Sequence, residues 1–357
     1  MSNHILKTST TKKSRMHTVI LEYIWLDGHG ELRSKYKTVY VDDVNDIRLE
    51  KWNYDGSSTY QAETGNSEII LNPVHFYHNP FFQNRNAYLV MCDTYRVVGE
   101  KMVPTESNHR YKANPLFEKK LELDPWFGIE QEYFMMTSDG TRTSRTPLHF
   151  SVPIIPDKQG PYYCGVGNQH IQFRSLAEKH YLYCLYAGLK ISGINSEVAP
   201  SQWEYQIGPV SGIEAGDQLW VSRYILHKLS EEYNINISFK PKPLPSPWNG
   251  SGLHTNFSTT ETRAEGGLEQ MKVYIDKLGK KHKEHIEIYG DNSERLSGEC
   301  ETSDIHSFSC GYGNRGCSIR IPTAALEAGC GYFEDRRPAS DADPYCVIGA
   351  LFDTCCL

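Results

Sequence analysis

Gly128-Ile129-Glu130-Gln131-Glu132-Tyr133-Phe134 reads as a β-strand carrying paired carboxylates. Residues two apart in an extended chain share a face, so Glu130 and Glu132 project side by side. Two like charges that close are costly unless a cation lies between them. An ordinary surface strand also shows Glu-x-Glu, so the pair alone leaves both readings open.

Reading outward from it, more acids appear. Glu197 (NSEVAPSQ) and Glu204 (QWEYQIGP) flank a proline-containing turn, with Glu204 set between Trp203 and Tyr205. Carboxylates among aromatic residues are rarely left unpaired. The glycine-rich Trp248-Asn249-Gly250-Ser251-Gly252 then enters a strand in which His254 and Asn256 share a face. Four glutamates and a histidine suit Mg²⁺ or Mn²⁺ better than structural zinc, although a single histidine is more often a satisfied core residue. The C-terminal third supplies arginines: Arg295, Arg315, Arg320, Arg336 and Arg337. Singly these read as salt-bridge partners. Together with the acids they make the arrangement that phosphoryl transfer requires, in which cations bridge phosphates and arginines neutralise developing charge.

Around this centre the chain divides in two. Residues 18–26, 36–41 and 87–92 are short β-rich runs, the first two around an Asp27-Gly28-His29-Gly30 turn. Helical periodicity becomes common only after residue 105, with helices expected from Phe173 to about Gly188, over 217–233, and over 267–289 ending at Gly290. The run Lys280 to His285 (KKHKEH) is expected on the last helix's solvated face. The expected fold class is α+β: a flexible tail over 1–16, a small β-rich domain over 17–104 and a larger α+β domain over 105–357.

With 357 residues, 37 basic and 44 acidic side chains, the net charge is −7. That mild acidity, without a basic stripe, argues against nucleic acid as a partner, and no apolar run approaches the roughly 18 residues of a membrane helix. Ten cysteines without C-x-x-C spacing read as reduced thiols of a cytoplasmic protein, not as disulfides or a structural zinc site. The N-terminal residues Lys7, Lys12, Lys13 and Arg15 leave an organellar transit segment as the alternative to a disordered tail.

WNYDGSST (52–59), GIEQEY (128–133), GPYYCGVG (160–167), EVAPSQWEYQIGP (197–209), NGSGLHTNFS (249–258), NRGCSIR (314–320) and GYFEDRRP (331–338) closely resemble the glutamine synthetase family of the eukaryotic type, in order and spacing. The resemblance implies a β-grasp first domain and a catalytic domain with a curved antiparallel sheet. It implies ligation of ammonia to the γ-carboxylate of L-glutamate, with ATP as co-substrate and γ-glutamyl phosphate as intermediate.

By the same resemblance two divalent ions, Mg²⁺ or Mn²⁺, are expected. Glu132, Glu197 and Glu204 would hold one, and Glu130, His254 and Glu334 the other. Arg295, Arg315 and Arg336 match glutamate-binding positions, with Trp248, Asn249 and Gly250 at the amino-acid end. Arg315 and Arg320 match phosphate contacts. Glu130, Glu204, Asn256, Phe257, Ser258, Tyr332 and Phe333 match nucleotide surroundings, and Trp126 either lines that pocket or belongs to the core.

Asp55, Ser58, Tyr163 and Glu301 match the ammonium site, with Glu301 on a closing flap. Read unaided, Asp55 is a turn residue; in the family it serves the neighbouring subunit, so a homo-oligomer is expected, a decamer of two pentameric rings. Departures are NQHIQFRS (168–175), loose matches over 75–113 and 1–16, and Cys300, where the family has histidine. A γ-glutamyl-polyamine ligase or a non-catalytic ring protein is the rival reading. The presence of Asp55, Tyr163 and Glu301 favours ammonia, and the intact acidic set favours catalysis. A P-loop kinase is excluded because G-x-x-x-x-G-K-[ST] does not occur.

Overall fold

A computed structural model describes residues 16–137, 161–167, 171–245 and 248–357. The first sheet has six strands, β1 (His17–Leu26), β2 (Leu32–Val41), β3 (Trp52–Asp55), β4 (Glu68–His78), β5 (Asn86–Val98) and β6 (Lys101–Pro104), in the order β2-β1-β5-β4-β3 with β6 also on β5. β1 runs parallel to β5 and the other pairs are antiparallel. The Asp27 carboxylate fixes the β1–β2 turn by accepting from the backbone N–H groups of His29 (2.8 Å) and Glu31 (3.0 Å). The proposed tail, apart from Met16, lies outside the described residues, as do Gly160 and residues 168–170 of the sequence motifs.

The second sheet has eight strands: β7 (Trp126–Thr137), β8 (Ile191–Ser196), β9 (Gln202–Ser211), β10 (Ile235–Ser238), β11 (Leu253–Ser258), β12 (Cys310–Tyr312), β13 (Ile319–Ile321) and β14 (Phe333–Asp335). Their order is β12-β13-β14-β11-β7-β9-β8, with β10 continuing beside β7, and only β12–β13 is parallel. The architecture is α+β, a small six-stranded sheet domain followed by a mixed domain in which antiparallel pairing dominates. Helices α1 (His109–Glu118), α2 (Arg174–Ala187), α3 (Glu214–Tyr233), α4 (Thr260–Arg263), α5 (Gly267–Lys280), α6 (His282–Ile288), α7 (Thr323–Ala328) and α8 (Pro344–Cys356) complete it. The helix α3 packs on β7, β9 and β10, and α8 packs on α1, α3 and α5. That side of the sheet is core: Phe127, Ile129, Tyr133, Trp203, Tyr205 and Ile207 are each at most 1% exposed.

Strand β7 thus has one face in the core and one free for chemistry. Gln131, on the core side, is fully buried, and its Oε1 accepts from Arg223 Nε of α3 at 2.8 Å. The pairing of β7 with β9 carries a bulge. Phe127 pairs with Val210, but Ile129 pairs with Ile207 and Glu132 with Glu204. The extra residue lies at Gly208–Pro209, and a Cβ on Gly208 would sit 2.5 Å from the Phe127 carbonyl oxygen. Past the bulge, Glu204 and Gln206 share the face of Glu130 and Glu132.

The expected helix over 267–289 is instead two, α5 and α6, divided at Lys281. The KKHKEH run is also only partly solvated. Lys280, Lys283 and Glu284 are exposed, but His285 is buried. Its two ring nitrogens meet Tyr289 Oη (2.6 Å) and Thr354 Oγ1 (2.9 Å), and His282 Nε2 meets the Ile305 carbonyl (2.9 Å). The break turns both histidines inward, where each finds a polar partner.

Candidate active site

Strand pairing assembles the site. Across the free face, Arg320 of β13 lies opposite Glu334 of β14, and Glu334 opposite Asn256 of β11. One step along, His254 lies opposite Glu130 and Glu130 opposite Gln206. One step further, Glu132 faces Glu204 and Glu204 faces Asn195 of β8. Directly opposed residues on one face are close neighbours, so six strands bring distant residues into one charged row. Glu197, in the β8–β9 turn, closes the end.

All of these except Glu334, Asn256 and Gln206 line a chamber of about 100 Å³ together with Tyr163, Asn249, Gly250, Arg295, Glu301, Arg315 and Arg336. The glycines of the NGSG loop are there because the chamber wall is tight. A Cβ on Gly250 would lie 2.8 Å from Arg295 Cγ, and one on Gly252 would lie 2.7 Å from both Arg295 Nη2 and His254 Nε2. The Gly252 N–H, close to the acids, donates to Glu132 Oε2 at 2.7 Å.

Two sets of ligand-capable atoms, Glu132–Glu197–Glu204 and Glu130–Glu204–His254, each gather within 4.8 Å. Burial, then the neighbouring Glu197 charge, pushes the Glu132 carboxyl up to about 8. Burial raises Glu197 to about 7, and burial with the Glu130, Glu132 and Glu197 charges raises Glu204 well above the carboxylate range. Burial, reinforced by Arg336, holds His254 well below its usual range, leaving a neutral imidazole of the form able to ligate. An oxygen-rich set with one neutral nitrogen, unable to ionise fully alone, fits hard divalent cations such as Mg²⁺ or Mn²⁺.

Glu334 is placed differently from its neighbours. His254 Nδ1 is 3.7 Å from its Oε1, but Arg336 Nη1 donates to that same oxygen at 2.7 Å and Arg320 Nε holds the other. Glu204 completes the second ligand-capable set, and Glu334 borders it, hydrogen-bonded to both arginines.

Four guanidinium groups face the acids. Arg295, 3% exposed, donates through Nη2 to the Arg336 carbonyl at 2.7 Å, and burial lowers it to about 10 despite the Glu132 charge. Arg336 Nε donates to the Arg315 carbonyl at 3.1 Å. Arg315 is half exposed, 3.8 Å from the Glu301 carboxylate, and hydrogen-bonded to Tyr163. Cys300 and Glu301 both have positive φ, 51° and 62°, a conformation that non-glycine residues adopt only under constraint.

A second cavity of about 440 Å³ adjoins the first, and Glu130 lines both. Its walls include Trp126, Gly208, Asn256, Phe257, Ser258, Tyr332 and Arg263, and the Arg263 guanidinium lies 3.9 Å from the Trp126 ring centroid. Trp126 thus belongs to a cavity, not to the core.

Phe333 and Trp248 are packed in apolar surroundings, and Asp55 and Ser58 lie in the first domain. Phe333 is wholly buried against Phe257. Trp248 packs with Phe134, Met136, Tyr162, Ala199 and Leu244. Asp55 ends β3 and Ser58 lies in the short 3-10 helix that follows, and neither lines this chain's chamber. Asp55 accepts from the Ser57 and Ser58 hydroxyls, both at 2.7 Å, which hold its carboxyl down at about 2.

The sequence reading missed Asn195, Gln202, Gln206 and Arg263. Asn195 Nδ2 donates to Glu197 at 3.0 Å, and Gln206 donates to Glu204. The period-two continuation of Glu204 to Gln206 was the available signal.

Residues 17–97 match the family model "Glutamine synthetase, beta-Grasp domain", and residues 112–272 match "Glutamine synthetase, catalytic domain". A glutamine synthetase of Emericella nidulans is 50% identical over 340 residues, covering 95% of this chain and 93% of that one. The glutamine synthetase of Saccharomyces cerevisiae is 49% identical over 341 residues, covering 95% and 89%. The Plasmodium falciparum glutamine synthetase solved by cryo-electron microscopy is similar in fold. It superposes with a TM-score of 0.72 at 18% identity, covering 97% of this chain and 73% of that chain.

Proposed function

Since this chain belongs to the glutamine synthetase family and is a glutamate–ammonia ligase, we propose that the acidic–arginine chamber holds glutamate and the ATP phosphates, with adenine in the adjoining cavity. The observation that carries this is Glu130, whose carboxylate lines both spaces, so one nucleotide can reach from the Trp126–Tyr332 walls to the charged row.

Glu132, Glu197 and Glu204 would hold one Mg²⁺ or Mn²⁺, and Glu130, His254 and Glu334 the other, with Glu334 also paired to Arg320 and Arg336. Bound there, such cations would supply positive charge that neutralises what develops during phosphoryl transfer. A carboxylate is a poor electrophile until its oxygen is phosphorylated. Arg295 and Arg336 orient the glutamate, and Arg315 and Arg320 face the transferring phosphoryl group. An arginine so placed is worth roughly 10³–10⁵ in rate. Glu301 closes over the acyl phosphate and excludes water.

Ammonium is captured by Asp55 and Ser58 of a neighbouring subunit together with Tyr163 and Glu301. Supporting the shared site, Asp55 and Ser58 do not line their own chain's chamber. A ring oligomer, a decamer of two pentamers working in the cytoplasm, completes the reading. Among the described residues no helix is long and apolar enough to cross a membrane.

The test is ADP release with Mg²⁺, ATP and glutamate, with and without ammonium, alongside the mass in solution. Strong ammonium-dependent turnover from a large oligomer is expected. Turnover only with a polyamine would move the substrate, and full turnover from a monomer would overturn the shared site.

A further inference from the structure

At the junction where the first sheet hands over to the catalytic domain, two segments 234 residues apart converge. His109 opens α1, Asp343 is the N-cap of α8, and Cys346 lies one turn into α8. One ligand-capable atom from each falls within 4.8 Å of the others. His109 Nδ1 and Asp343 Oδ2 are 2.7 Å apart. The other oxygen, Asp343 Oδ1, accepts from the Tyr345 N–H (2.9 Å) and from Trp220 Nε1 (3.3 Å). Those two donors orient the carboxylate and leave Oδ2 for the cluster, which is how outer partners fix a ligand.

We propose that His109, Asp343 and Cys346 bind a divalent cation of the zinc class, separate from the hard cations of the active site, and so tie the start of α1 to the start of α8. The donor chemistry differs from that of the chamber. One imidazole, one thiolate and one carboxylate form a borderline-soft set, where the chamber offers mainly oxygens.

Tetrahedral zinc with nitrogen and oxygen at about 2.0 Å sets those two atoms about 3.3 Å apart, so the existing pair opens by well under 1 Å. The protons on His109 Nδ1 and Cys346 Sγ leave to solvent as the ion enters. The fourth position is open. The His109 and Asp343 side chains are 36% and 18% exposed, and a cavity of about 390 Å³ lined also by His29, Glu106 and Asp341 lies beside them. Cysteine spacing could not reveal such a site, because its ligands come from two distant helix starts.

The test uses the full chain, stripped with a chelator, returned to excess Mg²⁺ to fill the oxygen-rich sites, and titrated with Co²⁺. One Co²⁺ per chain is expected, with a thiolate-to-cobalt charge-transfer band that Zn²⁺ abolishes. Cys346→Ser should lose the band, and His109→Asn should weaken binding by about 10- to 100-fold or more. Cys310→Ser, at an exposed cysteine, should change neither. No band in the wild type, or a band that survives Cys346→Ser, would overturn the site and leave a hydrogen-bonded His–Asp knot between two helices.

Discussion

Glu334 and Asp335 are consecutive residues on β14, both fully buried, and they belong to opposite kinds of place. On the core side, Asp335 has every partner it needs. Arg337 donates to it through Nε (2.8 Å) and Nη2 (2.7 Å), and Tyr289 Oη adds a third bond at 2.8 Å. Burial, the largest influence, would raise its carboxyl, yet the Arg337 charge, the Arg337 hydrogen bonds and His285 together hold it below the usual range. On the chamber side, Glu132, Glu197 and Glu204 crowd one another and are all pushed upward. Both clusters are buried and charged. What separates a structural cluster from a working one is whether its charge is compensated within the chain.

Removing a charge from each cluster should give opposite results. Glu204→Gln should lower turnover by roughly 10³-fold, since a lost cation ligand forfeits several kcal/mol of transition-state stabilisation. The metal-free protein should melt no lower, because an uncompensated carboxylate has been replaced by a neutral amide. Steady-state rates and melting curves on one preparation check both halves, and a large drop in melting temperature would break the comparison. Asp335→Asn should do the reverse and destabilise the fold by about 3–5 kcal/mol, the cost of leaving a buried arginine unpaired. Denaturant unfolding measures it.

A third way to sharpen the contrast is pH. Unfolded glutamates ionise near 4.5, whereas folded Glu132 and Glu197 keep their protons to about 8 and 7. Between those values the native state binds more protons than the unfolded one, so this cluster's contribution to stability declines as pH rises. The slope is about 1.4 kcal/mol per pH unit for each proton. Mg²⁺ should flatten it, so melting temperatures with chelator and with Mg²⁺ should diverge from pH 5 to pH 8. Parallel curves would show that the trio is not a cation site. The smallest effect is expected at Asp55, where Asn should raise the ammonium KM about tenfold and leave ATP affinity alone, as initial rates would show.

The sequence made the working cluster more legible than the structural one. Glu130, Glu132, Glu197, Glu204 and His254 stood out because carboxylates with a period of two, or set among aromatics, ask for a partner. Arg223 and Gln131 did not, since nothing local to either says that they meet across the core. Helices α2 and α3 were readable from their apolar spacing. The helix α8 was not, because it is apolar on nearly every side and shows no stripe. The division at Lys281 was equally hidden, being set by tertiary partners of His282 and His285. Arg263 lay outside every motif, and only the fold brings it over Trp126.

The bulge at Gly208 has a consequence of another kind. Strand alternation is a two-letter reading frame, and the bulge is a frameshift written into it. Counted back from buried Val210 without it, Gln206 and Glu204 would fall in the core and Trp203 and Tyr205 in the chamber. One extra residue corrects the phase exactly where the ligands begin. Single insertions or deletions along β7 or β9 would therefore exchange the ligand set for its hydrophobic complement in one step. The lengths of these two strands are part of the chemistry, as binding as the identity of any glutamate.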